Sequence, residues 1–226
     1  MLRDKKALLL DMNSTFMFGE DNFSELEDYS IQYHRIGGRL PRNEINTIIM
    51  TVYAYLDERY PKIEFRENFP SLECALENTV GDTINQNEWE KIIETFAFHE
   101  IGYIPVEYIN VLHELSKRYT LAVVIDIWSP KSAWLELFNK TGLISLFSAL
   151  SFSSDHGMVK PSPKPFEMML QQLGIKNTNA LVIGDSIRRD LGGARAAEID
   201  CVLVGGAIHL DAVSCYPDLL EFNAAL

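Results

Sequence analysis

Ala7-Leu8-Leu9-Leu10-Asp11-Met12-Asn13-Ser14-Thr15 is the stretch whose reading decides the fold. Four apolar residues run straight into an aspartate and a short polar turn. A short run that is apolar on both faces predicts a buried parallel strand. Asp11 then stands at the carboxyl end of that strand, where open α/β sheets place their ligands.

Downstream the chain alternates. Leu121–Ile125, Ala149–Phe152, Ala180–Ile183 and Cys201–Val204 read as further strands. Between them, 106–118, 131–141, 165–173 and 190–197 read as helices, with Gly142 and Gly174 as stop signals. The tail from Asp211 reads as one more short helix or a loose end. This spacing implies right-handed βαβ units and an α/β, Rossmann-like parallel sheet in the order 3-2-1-4-5. Its switch point lies between the first and fourth strands, so Asp11 and Asp185 face each other there. Two converging carboxylates suggest a divalent metal with oxygen ligands, Mg²⁺ foremost.

Between Phe23 and Phe98 no strand pattern occurs. Tyr29 and Tyr33, the set Ile45, Ile48, Ile49 and Val52, and the set Trp89, Ile92, Ile93 and Phe96 recur at helical spacing. Breaks fall at Gly37-Gly38, Pro41, Pro61, Pro70 and Gly81-Asp82. The expected organisation is an α/β core of residues 1–18 and 103–226 with an inserted all-helical cap of residues 19–102.

Bulk properties narrow the class. Of 226 residues, 47% are hydrophobic and 23% charged, the balance of a globular protein. No apolar run approaches the roughly 18 residues that span a bilayer, and a cytoplasmic location is expected. The three cysteines, Cys74, Cys201 and Cys215, have no metal or disulfide spacing. A net charge of −12 disfavours nucleic acid and anionic membranes as partners but permits a local phosphate site. The five histidines show no ligand spacing, and the tryptophans read as packing residues. Oligomeric state is not encoded in any pattern found.

Three stretches together resemble the haloacid dehalogenase-like superfamily, most of whose members are phosphatases. Asp11-Met12-Asn13-Ser14-Thr15 is similar to its D-x-D-x-T, Lys160-Pro161-Ser162-Pro163 to its lysine loop, and Gly184-Asp185-Ser186-Ile187-Arg188-Arg189-Asp190 to its G-D-x-x-x-x-D. The helical insert resembles the family's cap placed directly after the first motif. The resemblance implies Asp11 as nucleophile and Lys160 as the cation that balances the carboxylates and the phosphate oxygens. It implies a Mg²⁺ held by Asp11, the backbone carbonyl of Asn13 and Asp185. Asp190 would orient the Asp185 loop or reach the metal through water. Ser14 and Thr15 would offer hydroxyls and N–H groups to the phosphate of a small phosphorylated metabolite.

Two departures from the family bear on its chemistry. Asn13 stands where the phosphatases carry their general acid/base aspartate, and an amide cannot titrate in the working range. Ile125 stands where a Ser or Thr is expected, followed by Asp126, a substrate-site candidate that needs a metal or a cationic group opposite it. Ser129 is a candidate replacement for the missing hydroxyl. Glu198 replaces a glycine common in the family. These leave two functions open: a slow or specialised Mg²⁺-dependent phosphatase, and a degenerate member that binds metal and ligand, or a protein partner, without efficient turnover.

Overall fold

The computed structural model describes residues 4–81 and 84–226, so Asp82 of the expected break lies outside the described residues. Strand β1 (Ala7–Leu10) is fully buried and central. It pairs in parallel with β2 (Thr120–Ile125) on one side and β4 (Ala180–Gly184) on the other. With β3 (Phe147–Phe152), β5 (Asp200–Leu203) and β6 (Ser214–Cys215), the sheet runs β3-β2-β1-β4-β5-β6, every pairing parallel. Strand β6 extends the expected order by one. At two residues it is too short to show a period, and it forms because Val213 N–H reaches Cys201 O (2.8 Å) and Tyr216 N–H reaches Leu203 O (2.9 Å).

The alternation of side chains along β1 explains both layers. Leu8 and Leu10 enter a core with Tyr108, Leu112 and Leu115 of α5 (Val106–Ser116), Trp134 and Phe138 of α6 (Ser132–Lys140), and Leu219 and Phe222 of α10 (Leu219–Ala224). Leu9 enters the opposite core with Phe166 and Met169 of α8 (Lys164–Leu173), Leu191 and Ala194. Helix α8 stops at Gly174, whose φ of 65° is the left-handed conformation that glycine adopts without strain.

The helix expected over 190–197 divides. Ile187–Leu191 forms a π-helical turn and Gly192–Ala196 a short α-helix, α9. Ser186 O accepts both Asp190 N–H (3.0 Å) and Leu191 N–H (3.1 Å), which inserts one residue before the helix proper. Gly192 and Gly193 add little helical preference of their own. The turn has a consequence for the site, because it directs Arg189 back toward Asp185.

Between β1 and α5 lie α1 (Tyr29–Arg35), α2 (Arg42–Arg59), α3 (Leu72–Thr79) and α4 (Gln86–Glu100), and a short 3₁₀ turn at Ile63–Phe65. Their apolar faces build a separate core of Tyr29, Tyr33, Ile45, Ile49, Val52, Leu72, Ile92 and Phe96. The chain enters and leaves this helical insertion side by side. Phe18 N–H donates to Tyr103 O (2.9 Å) and Tyr103 N–H to Phe18 O (2.8 Å). The insertion is also fastened to the lysine loop. Val159 N–H donates to Arg66 O (2.8 Å), Phe69 N–H donates to Gly157 O (2.7 Å), and the Val159 side chain joins the insertion's core. The short α7 (Ser153–His156) leads into that loop.

Candidate functional site

Asp11 is held at the end of β1 by its own N–H, which donates to Ile183 O of β4 at 2.8 Å. Beyond it the chain turns sharply, with Met12 O accepting the N–H groups of Thr15, Phe16 and Met17. The turn leaves Asp11 with 5% of its surface exposed.

Lys160 is the centre of the cluster. Its Nζ donates to Asp11 Oδ1 at 2.5 Å and to Asp190 Oδ1 at 2.8 Å, and its side chain is 1% exposed. Burial disfavours the ammonium, but Asp11, Asp190 and Asp126 outweigh it and hold the lysine protonated, above its ordinary value. Burial pushes the Asp11 carboxyl up, and Lys160 and Arg189 work against that shift. Buried charges of this kind persist only when each has a partner.

Asp190 has both oxygens engaged, Oδ1 by Lys160 and Oδ2 by Ser186 N–H at 3.0 Å. It therefore fixes the loop that carries Asp185. Gly184 makes room for it: a Cβ there would lie 2.4 Å from Asp190 Oδ2. One carboxylate oxygen each from Asp11, Asp185 and Asp190 lies within 4.8 Å of the other two.

The other residues singled out in the sequence divide. Asn13 Oδ1, Thr15 Oγ1 and Asp11 Oδ2 are buried with no hydrogen-bond partner among the described residues. Ser14 has its donors turned elsewhere, its hydroxyl to Glu20 (2.9 Å) and its N–H to Met17 O (2.8 Å). Asp126 Oδ2 accepts Lys160 N–H (3.0 Å) and the Tyr60 hydroxyl (2.6 Å), so its charge is met by the lysine loop and the insertion. Ile125 is buried, and so is Ser129, which lies against Glu100.

Sequence reasoning missed three participants. Tyr60, just past α2, is the insertion's contact with the carboxylates, whereas Arg42 pairs with Asp28 and Arg59 covers the Tyr55 ring. Arg189, inside the quoted motif, lies 3.3 Å from Asp185. Glu100, at the end of α4, accepts the N–H groups of Trp128 (2.5 Å) and Ser129 (2.9 Å), which shapes the segment after β2. Burial pushes Glu100 up to about 7 and Asp21 up to about 6. Trp128 packs among Tyr53, Tyr60, Phe69 and Phe96, between insertion and core.

The fold and this cluster define an α/β protein with a lysine-bridged acidic site at the switch point of its sheet. The family described as haloacid dehalogenase-like hydrolase matches residues 43–204, and the chain belongs to that family. The phosphoserine phosphatase of Thermus thermophilus is 33% identical over 78 residues, 34% of this chain and 31% of that protein. The pyrophosphatase PpaX of Halalkalibacterium halodurans is 33% identical over 104 residues, 46% of each. The chain thus spans about a third and about half the length of these two curated relatives. Among solved structures, a 2-haloacid dehalogenase from Pseudomonas syringae pv. Tomato DC3000 superposes with a TM-score of 0.66 over 97% of each chain at 20% identity, a likeness of fold. Among the described residues no helix is long and apolar enough to cross a membrane.

Proposed function

We propose that the protein is a slow, Mg²⁺-dependent phosphatase of a small phosphorylated metabolite, with Asp11 as nucleophile. The observation that carries this reading is the sharing of Lys160 between Asp11 and Asp190 while Asp11 Oδ2 is buried with no hydrogen-bond partner among the described residues. A carboxylate so placed is oriented by one oxygen and free at the other. The phosphatase names of the curated relatives support the same chemistry.

The donors fit a hard cation. Asp11 Oδ2 and Asn13 Oδ1 have no hydrogen-bond partner among the described residues, and a carboxylate oxygen of the partly exposed Asp185 lies within 4.8 Å of one from Asp11. Asp11, Asp185 and the residue 13 carbonyl would hold Mg²⁺, with Asp190 as the residue that positions Asp185. When bound, the ion would supply positive charge to the oxygens of the transferring phosphoryl group.

The chain's own residues account for the rest. The Asp11 carboxylate attacks phosphorus, the P–O bond to the leaving alcohol breaks, and an aspartyl-phosphate forms. Lys160 offsets the charge on the phosphoryl oxygens. The leaving alkoxide takes its proton from solvent, because Asn13 has none to give. Water then attacks the aspartyl-phosphate, phosphate leaves and Asp11 is restored. Lacking a general acid/base costs roughly 10²–10⁴-fold, hence the slow rate. The helical insertion, resting on the lysine loop, acts as the cap that excludes water and contacts the leaving group.

A second reading, a binder without efficient turnover, is favoured by Asn13 together with the buried Ile125 at the end of β2. Mg²⁺-dependent phosphate release from an aryl phosphate separates the two. The phosphatase reading expects slow release by the wild type, none by Asp11→Asn and faster release by Asn13→Asp. Absence of release from both wild type and Asn13→Asp contradicts it.

A further inference from the structure

Arg189 stands in the middle of the acidic site. Its Nη2 lies 3.3 Å from Asp185 Oδ1, the one cluster carboxylate that is not bonded to Lys160. The guanidinium is within electrostatic reach of Tyr60, Asp11 and Asp190 as well. Only 28% of the side chain is exposed. The π-helical turn Ile187–Leu191 puts it there, with Arg189 N–H donating to Ser186 Oγ at 3.2 Å. The local charges are the carboxylates of Asp11, Asp21, Asp126, Asp185 and Asp190 against Lys160 and Arg189. Lys160 is committed to Asp11 and Asp190, so Arg189 is the cation that faces Asp185.

We propose that Arg189 is a tethered counter-ion that competes with a divalent cation for Asp185, so that cation binding must displace its guanidinium. The inference rests on the reading of Asp11 and Asp185 as cation ligands. Two effects add. The guanidinium takes an oxygen the ion needs, and its positive charge repels the ion at short range. An arginine suits this role because its charge is permanent and its fork matches a carboxylate. The wild type therefore binds Mg²⁺ weakly and retains a neutralised site without it.

Calorimetric titration of Mg²⁺ into the wild-type protein, Arg189→Asn and Arg189→Lys tests this without reference to turnover, with Asp185→Asn as the control for the site. The expected result is at least tenfold tighter binding by Arg189→Asn than by wild type, Arg189→Lys falling between. Heating curves for the same proteins give a second readout: Mg²⁺ raises the melting temperature of Arg189→Asn more than that of wild type. Arg189→Gln serves in the same assay if Arg189→Asn does not fold. Equal affinity in wild type and Arg189→Asn, with Asp185→Asn weaker, overturns the counter-ion role alone. Absence of binding in wild type, Arg189→Asn and Arg189→Gln overturns it together with the cation site.

Discussion

The Tyr60 hydroxyl donates to Asp126 Oδ2 at 2.6 Å, joining the end of α2 in the helical insertion to the segment after β2 in the sheet. The same oxygen accepts Lys160 N–H at 3.0 Å. One carboxylate thus ties the insertion to the loop that carries the central lysine. Removing the phenol leaves a buried acceptor short of a donor, which costs about 1–3 kcal/mol. Tyr60→Phe is expected to lower stability by that amount in urea melts. Tyr55→Phe, within α2 and without a carboxylate partner among the described residues, is expected to change it by less than about 0.5 kcal/mol.

Lys160→Met removes the charge that Asp11 and Asp190 share. Breaking a buried ion pair on one side costs about 3–5 kcal/mol. The loss is expected to be largest near neutral pH and smaller in acid, where the two carboxyls protonate. Urea melts at several pH values check this, and a flat profile would speak against a shared charge.

Glu100 provides a separate pH dependence. Its carboxyl is raised from an ordinary 4.5 to about 7 by burial. The folded state therefore holds its proton more tightly than the unfolded chain does. The stabilisation is complete below about pH 4.5 and is lost as pH rises through 7. The shift corresponds to about 3 kcal/mol. Glu100→Gln is expected to flatten the fall in melting temperature over that window.

Glu198 sits at φ 56°, the left-handed region that favours glycine. It is exposed, so its side chain has no packing to lose. Glu198→Gly is expected to stabilise the protein by up to about 1 kcal/mol, the relief of the strained backbone exceeding the entropy glycine adds to the unfolded chain. Thermal denaturation reads this directly.

What the sequence carried was periodic or local. The apolar run Ala7–Leu10, the repeat of strand and helix after Pro105, and the stop at Gly174 were legible and gave the sheet order up to its fifth strand. Asp11 and Asp185 could be placed because each ends a strand, and Lys160 and Asp190 because their stretches resemble the family's motifs. Tertiary closure was not legible. Strand β6 exists only because β5 offers an edge. The π-helical turn depends on Ser186 O taking two donors. Tyr60 and Glu100 lie at helix ends whose neighbours are distant in sequence, and no local pattern marks them. Arg189 was in view within its motif, but its direction is set by that unforeseen turn. Of the insertion's arginines, Arg42 pairs with Asp28 and Arg59 covers the Tyr55 ring.

The central claim is that Asp11 carries the phosphoryl group. Mass spectrometry of protein quenched in acid after incubation with an aryl phosphate and Mg²⁺ tests it most directly. The account predicts a phosphoryl group on Asp11 in the wild type, a lower level in Asn13→Asp as water is activated, and none in Asp11→Asn. A phosphoryl group on another residue, or on Asp11→Asn as readily as on wild type, would contradict it.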